Sequence, residues 1–352
     1  MQLLYDTQQL VNNIQHFLES MCATYHLPPV LVVTMVAIAA VLAVIGGFIS
    51  VNAMMVVLAE RKIAGYMQDR LGPMRVGPYG ILQTAADAVK LLLKENIVPK
   101  IADKWVFFLA PVVVMAPAVM AYVVLPWSPG LIVCDLNLGV VYLMAVGSIG
   151  VIGIIMAGWS SGNKYSLLGG IRSSAQIVSY ELAMSLSVIG VIMLAGSLKM
   201  SDIIGAQQDC WYIIKQPLAF ILFIIAATAE CNRAPFDLPE AESELIAGFH
   251  TEYGGIKFAM FFLAEYANMF VASAVCATLF LGGWNGIPGL PMILPPIVWF
   301  LLKTYLIVFL FIWFRWTYPR IRVDQLMGFG WKVLLPLAFL NIGLTGLVMV
   351  LI

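Results

Sequence analysis

Charged side chains are scarce in this sequence. They make up 11% of its 352 residues, less than half the share usual in a water-soluble domain. Acidic and basic residues number 19 each, so net charge identifies no partner. Histidine occurs three times, at positions 16, 26 and 250, too scattered for a haem or zinc site built by this chain alone. The five cysteines (Cys22, Cys134, Cys210, Cys231, Cys276) form no CxxC pair, which argues against a metal ribbon or a thioredoxin-like motif; small apolar packing residues is the simpler reading, with Cys134 and Cys210 the one pair suited to an outer disulfide. No GxGxxG or Walker motif is present, so no nucleotide site is expected. The first 20 residues do not resemble a cleavable signal: they carry Asp6, His16 and Glu19 and no lysine or arginine, and their apolar spacing suggests a short interfacial helix.

What the chain has in abundance is apolar sequence, 62% of the total. A bilayer core takes about 20 such residues per helix. Eight stretches qualify, roughly 30–58, 105–126, 138–159, 177–197, 215–230, 257–281, 294–314 and 332–351, the fifth being short. Period-2 alternation is lacking, which argues against a β-barrel. The expected fold is therefore all-α: a polytopic membrane protein with about eight transmembrane helices in one integral membrane domain, 1–352.

The basic residues divide sharply among the loops. Sixteen of the 19 follow odd-numbered spans or lie at their ends; Lys199 and Lys215 are in the opposite loops and Lys303 is inside the seventh span. The positive-inside rule then puts the odd-numbered loops in the cytoplasm (or matrix) and both termini outside. Residues 79–95 (YGILQTAADAVKLLLKE), in the first of these loops, gather Ile81, Leu82, Ala85, Val89, Leu92 and Leu93 on one arc and oppose them with Gln83, Thr84, Asp87, Lys90 and Lys94. That pattern predicts an amphipathic helix lying in the membrane interface; a plain surface helix is the alternative.

Acids near or within the spans are costly to keep there and draw attention for that reason. Glu60 and Arg61 close the first span, Glu181 is placed at the start of the fourth, Glu230 ends the fifth, and Glu265 is near the middle of the sixth. Six acids (Glu230, Asp237, Glu240, Glu242, Glu244 and Glu252) crowd into 23 residues with only Arg233 opposing them. Such acids suit a proton relay; a solvated loop is the alternative, weakened by their alternation with apolar residues such as Phe236 and Leu245.

At this point whole segments become recognisable. The run Glu60-Arg61-Lys62-Ile63-Ala64-Gly65-Tyr66-Met67-Gln68-Asp69-Arg70-Leu71-Gly72-Pro73, continuing to Val76-Gly77-Pro78, resembles the first cytoplasmic loop of the H subunit of respiratory complex I, the proton-pumping NADH-quinone oxidoreductase. So do Gly158-Trp159-Ser160-Ser161 with Lys164 to Gly169, Ser179-Tyr180-Glu181-Leu182, Asn232-Arg233-Ala234-Pro235-Phe236-Asp237-Leu238-Pro239-Glu240-Ala241-Glu242, and Pro319-Arg320 with Asp324-Gln325. The likeness runs through nearly the whole chain in order. It departs at Met74, where asparagine is expected, at Cys231, where threonine is common, and over the first 25 or so residues.

The resemblance implies a subunit of an NADH:quinone oxidoreductase that carries no redox centre or metal itself and walls part of a chamber for a quinone substrate, ubiquinone or menaquinone. FMN and iron–sulfur clusters would belong to partner subunits. Those partners would be the peripheral-arm quinone-site and iron–sulfur subunits, small hydrophobic membrane subunits and antiporter-like subunits, together with membrane lipid and without nucleic acid. Carried over residue by residue, Glu60, Arg61, Arg70 and Asp87 would stand near the quinone entrance, and Arg233, Phe236 and Asp237 would line the chamber. Glu181, Glu230, Glu240, Glu242, Glu244, Glu252 and Glu265 would form the proton relay. Arg61 and Arg70 have a plainer reading as topology-setting residues. The implied location is a bacterial inner membrane in preference to the mitochondrial one. Two alternatives stay open on sequence: the equivalent subunit of an energy-converting hydrogenase or other non-NADH oxidoreductase, and a stand-alone proton or cation transporter.

Overall fold

A computed structural model describes residues 29–237, 245–289 and 293–351. The predicted helix in the first 20 residues, and Glu240, Glu242 and Glu244, lie outside these. The chain divides into two compact units, Met1–Val51 and Asn52–Ile352. The first contributes, among the described residues, the opening half of one helix; the second holds every other element.

All described elements are helical, apart from one isolated bridge between Ser128 and Leu131. They are α1 (Pro29–Met67), a 3-10 turn (Pro78–Gly80), α2 (Gln83–Leu93), α3 (Lys104–Ala121), α4 (Gly139–Ser160), α5 (Lys164–Ala195), α6 (Met200–Gly205), α7 (Tyr212–Lys215), α8 (Pro217–Glu230), a second 3-10 turn (Gly248–His250), α9 (Gly255–Phe280), α10 (Pro296–Thr317), α11 (Val323–Phe329), a π segment (Gly330–Leu334) and α12 (Leu335–Leu351). Among the described residues, seven helices are long and apolar enough to cross a membrane: α1, α3, α4, α5, α9, α10, and the continuous rod from α11 through α12.

The predicted fifth span is different. It forms α8, a 14-residue helix, which at 1.5 Å per residue is about 21 Å long and short of a bilayer core of about 30 Å. Pro217 starts it, as proline does well at a first helical turn, and Asn232 in a left-handed conformation (φ 49°) follows its end. More than half of its side chains, Ala219, Leu222, Phe223, Ile224 and residues 226–229, are buried against protein, whereas Pro217 and Ile221 are exposed.

Two other boundaries move in ways that matter. Helix α1 continues past residue 58 to Met67 and stops where Asp69 turns left-handed (φ 53°). Glu60 and Arg61 are therefore inside a helix, with two further turns beyond them. Helix α5 runs for 32 residues from Lys164 to Ala195; Asn163 ahead of it accepts from the Tyr165 N–H at 3.0 Å as its N-cap, and a left-handed Gly196 ends it. Glu181 thus sits mid-helix and not at its start. An apolar window cuts both helices short because their inner turns are polar.

Helices α4 and α5 approach closely at Gly158 and Gly170, where a Cβ on Gly158 would stand 2.8 Å from the Ser166 carbonyl and 3.2 Å from the Gly170 Cα. Such small-residue contacts are the usual basis of close packing between membrane helices. The segment expected to lie in the interface forms α2, a shorter helix than 79–95. Its apolar arc (Val89, Leu92 and Leu93, with Ile81 and Leu82 ahead of it) is exposed, whereas Thr84 on the polar arc is buried. Thr84 is the buried point of α2, Gln83 and Asp87 are half-buried, Lys90 and Lys94 are exposed, and the apolar arc looks outward. Cys134 and Cys210 are free thiols in this structure.

Candidate functional site

The centre of the site is an ion cluster drawn from four parts of the chain. Glu60 on α1, 7% exposed, accepts hydrogen bonds from Arg233 Nη1 at 2.9 Å to each of its oxygens, from Arg315 Nη1 on α10 at 2.6 Å and from the Tyr266 hydroxyl on α9 at 2.7 Å. Arg233 Nε lies 2.9 Å from Glu265 Oε1, and the guanidinium stacks over the Tyr266 ring at 4.5 Å. One buried cation is thus held between two carboxylates from different helices. Burial works against the charged guanidinium, but Glu265 and Glu60 outweigh it and hold its pKa well above the ordinary arginine value.

Two cavities meet at this cluster. The larger, about 590 Å³, opens among Glu60, Arg61, Arg70, Phe262, Tyr266 and Arg315. Its volume is in the range of small-molecule sites. At its mouth Arg61 Nη1 pairs with Asp87 Oδ2 on α2 at 2.5 Å, and Gln83 donates to the other Asp87 oxygen at 3.1 Å. This half-exposed pair links α1 to α2. Arg70 contacts Gln68 at 2.6 Å.

The smaller cavity, about 140 Å³, lies inside the bundle and is lined by Glu181, Glu230 and Glu265 with Asn232, His250 and Asn268. It has room for several waters. Glu230 Oε2 is buried and has no hydrogen-bond partner among the described residues. Glu181 accepts a hydrogen bond from Ser148 on α4. His250 packs between the Phe249 and Phe258 rings at 4.8 and 5.4 Å, and burial pushes its pKa down to about 4. Phe262 lines both cavities.

The remaining candidates stand apart. Asp237 is 3.7 Å from Arg320, and Phe236 packs on Tyr180 with ring centroids 5.5 Å apart; neither lines either cavity. Glu252 accepts from Asn163 at 2.7 Å, at the cap of α5. Among the described residues no group of three or more His, Cys, Asp or Glu could hold a metal ion.

Sequence reasoning misses Tyr266 and Arg315. In the sequence Arg315 is one more basic residue closing a span. Tyr266 follows Glu265 directly, and the only available signal is a hydroxyl-bearing ring beside an intramembrane acid.

Comparison with known proteins gives the family of the chain. Residues 22–346 match the family described as NADH dehydrogenase. The chain is 54% identical over 308 residues to the H subunit of the NADH-quinone oxidoreductase of Anoxybacillus flavithermus, covering 87% of this chain and 91% of the relative. It is 55% identical over 293 residues to the subunits of the same name from Bacillus mycoides and Bacillus thuringiensis, covering 83% of this chain and 88% of each relative.

Proposed function

The chain belongs to the H-subunit family of NADH-quinone oxidoreductases, membrane subunits that work with the other subunits of complex I, and from that premise we propose that its two cavities are part of the quinone chamber and the first stage of a proton path. The observation that carries this reading is the shared wall. Glu60 and Tyr266 face the larger cavity, Glu265 faces the smaller one, and Arg233 is paired with the acids of both.

In this reading a quinone, ubiquinone or menaquinone, reaches the larger cavity from the bilayer past α2, whose exposed apolar arc lies in the membrane interface. Electrons come from an iron–sulfur cluster in a peripheral-arm subunit, supplied by FMN further out. Reduction takes two electrons and two protons. An anionic reduced quinone near Glu60, Arg61 and Arg315 competes for their cations, and Coulomb coupling of about 4 kcal/mol at 4 Å is large enough to change the protonation of neighbouring acids. Glu265, Glu230 and Glu181 then pass protons toward small hydrophobic and antiporter-like membrane subunits. Glu240, Glu242, Glu244 and Glu252, with Asp237, remain candidates for the uptake side.

Orientation follows the basic asymmetry, with the charged loops in the cytoplasm, both termini outside and the plasma membrane of a bacterium as host, as the organisms of the relatives suggest. The alternation requires α8 to cross despite its length, which its burial against protein permits. The whole chain, 1–352, is read as a single integral domain.

The test is made in the assembled complex. Glu181→Gln and Glu265→Gln are each expected to lower the ratio of protons pumped to electrons transferred, with quinone reduction slowed. Normal rates and normal ratios in both would sink the relay.

A further inference from the structure

We propose that Gln176 is a positioning residue for Arg233: it ties off the turn that delivers the guanidinium between Glu60 and Glu265. The proposal rests on the reading of the ion cluster given above and adds a residue that neither the motifs nor the cavities single out.

Gln176 lies in α5 and is fully buried. Its side-chain amide Nε2 donates at 2.8 Å to the Ala229 carbonyl and at 2.8 Å to the Phe236 carbonyl, and stands 3.4 Å from Asn232 Oδ1. Ser173, one turn earlier on α5, donates to the same Asn232 oxygen at 3.5 Å. The two carbonyls mark the two ends of the segment that carries Arg233. Between them the chain is folded back on itself: Asn232 is left-handed (φ 49°), Arg233 N–H donates to Thr228 O at 3.2 Å, and Phe236 N–H donates to Arg233 O at 2.8 Å. One amide group thus closes the mouth of the turn, and Arg233 leaves from its interior.

The chemistry of the closure is specific. An amide nitrogen offers two hydrogens, and two backbone carbonyls face it. Leucine, of similar size, would leave both carbonyls without this donor in a buried place. Glutamate would set a carboxylate oxygen against them. Asparagine keeps the amide but is one methylene too short to serve both ends. In each case the turn loses its tie and the guanidinium is no longer fixed between its two acids. A general packing role would not need a donor at this position.

The experiment compares Gln176→Leu, Arg233→Lys and the double variant in the intact, membrane-assembled complex. It reads the pH profile of quinone reductase activity and the proton-to-electron ratio, both normalised to assembled complex. Arg233→Lys keeps a charge but loses the fork that spans two carboxylates, and its profile should be displaced from wild type. Gln176→Leu should displace it in the same direction and lower turnover about tenfold, which is about 1.4 kcal/mol shared between the two lost hydrogen bonds. The double variant should add little to Arg233→Lys, because both changes act on one group. Additive effects, or a Gln176→Leu complex with reduced amount but a wild-type profile, would overturn the positioning role. A displaced Arg233→Lys profile beside an undisplaced Gln176→Leu one refutes this inference alone; an undisplaced Arg233→Lys profile refutes the reading of the cluster, and this inference with it. Should Gln176→Leu not assemble, Gln176→Asn takes its place: a smaller displacement in the same direction supports the role, and a wild-type profile overturns it.

Discussion

Replacing Glu60 by glutamine is the sharpest perturbation available at this site, because it changes charge while hardly changing shape. Four short contacts end on the Glu60 carboxylate, two from Arg233 and one each from Arg315 and Tyr266, and its side chain is only 7% exposed. Every one of those partners is a donor. A glutamine presents one oxygen and one NH₂, so at least one donor faces another donor, and two guanidiniums are left converging on a neutral group. Removing one partner of a buried ion pair destabilises by about 3–5 kcal/mol, two to three and a half decades in the population of the intact cluster at about 1.4 kcal/mol per decade. The expected outcome is a marked fall in assembled complex and in its midpoint of thermal inactivation. Glu60→Asp, which keeps the charge, should fall between glutamine and wild type. The Arg61–Asp87 pair serves as the internal contrast. Its side chains are 43% and 36% exposed, so Asp87→Asn should change stability by about 1 kcal/mol or less, while raising the KM for quinone through a less firmly held Arg61. The measurements are native-gel quantitation of membranes and thermal inactivation of the purified complex. A Glu60→Gln complex that assembles and inactivates like wild type would refute the claim that this carboxylate is the hub of the cluster.

Two further outcomes follow from local geometry. Gly255 opens α9 at φ +58°, and a Cβ there would stand 2.9 Å from the Lys94 carbonyl just past the end of α2. Gly255→Ala should destabilise this junction by about 1–3 kcal/mol and loosen α2, seen as faster proteolysis at Lys90 and Lys94; unchanged cleavage would count against the close approach. His250 is held at a pKa of about 4 against an ordinary 6.5 because burial disfavours its charged form. Between those values the unfolded chain binds a proton that the folded chain does not. Stability at neutral pH should therefore decline as pH falls from 6.5 through 4, by about 3 kcal/mol at most. His250→Asn should remove this contribution, measured as a flatter dependence of thermal inactivation on pH; an unchanged slope would show that the imidazole is not buried as described.

Much of the fold was legible because membrane spans are local signals. Continuous apolar runs located the seven long helices, and the 3.6-residue pattern located α2. The limits of α1 and α5 were not legible, because both carry on as polar helices beyond the apolar window, and that brought Glu60 and Arg61 inside the last turns of α1 and Glu181 to the middle of α5. The acids themselves stood out, since carboxylates in apolar surroundings are conspicuous one at a time. Their pairing did not. Arg233 meets Glu60 across 173 residues of sequence, and Tyr266 meets it across 206, separations at which no periodicity operates. Gln176 was the least visible of all: a polar residue in a serine-rich helical stretch gives no sign that it clamps a turn more than 50 positions away.

The arrangement of Arg233 also constrains how two cavities can act together. A guanidinium shared by two acids cannot serve both equally once a new negative charge appears on one side. With Glu60 facing the larger cavity and Glu265 the smaller, an anion arriving beside Glu60 draws on the same cation that balances Glu265. The two acids need no continuous water chain between them for this to work, because what passes across the wall is the balance of charge on a single fixed group. Fixing is therefore essential. A guanidinium free to follow the stronger anion would relieve the competition by moving, and the effect at Glu265 would be lost. The stacking of Arg233 on Tyr266 at 4.5 Å and the tie from Gln176 to both ends of its turn oppose that movement. In the proposed coupling, the neutral groups that immobilise the cation therefore matter as much as the acids it joins.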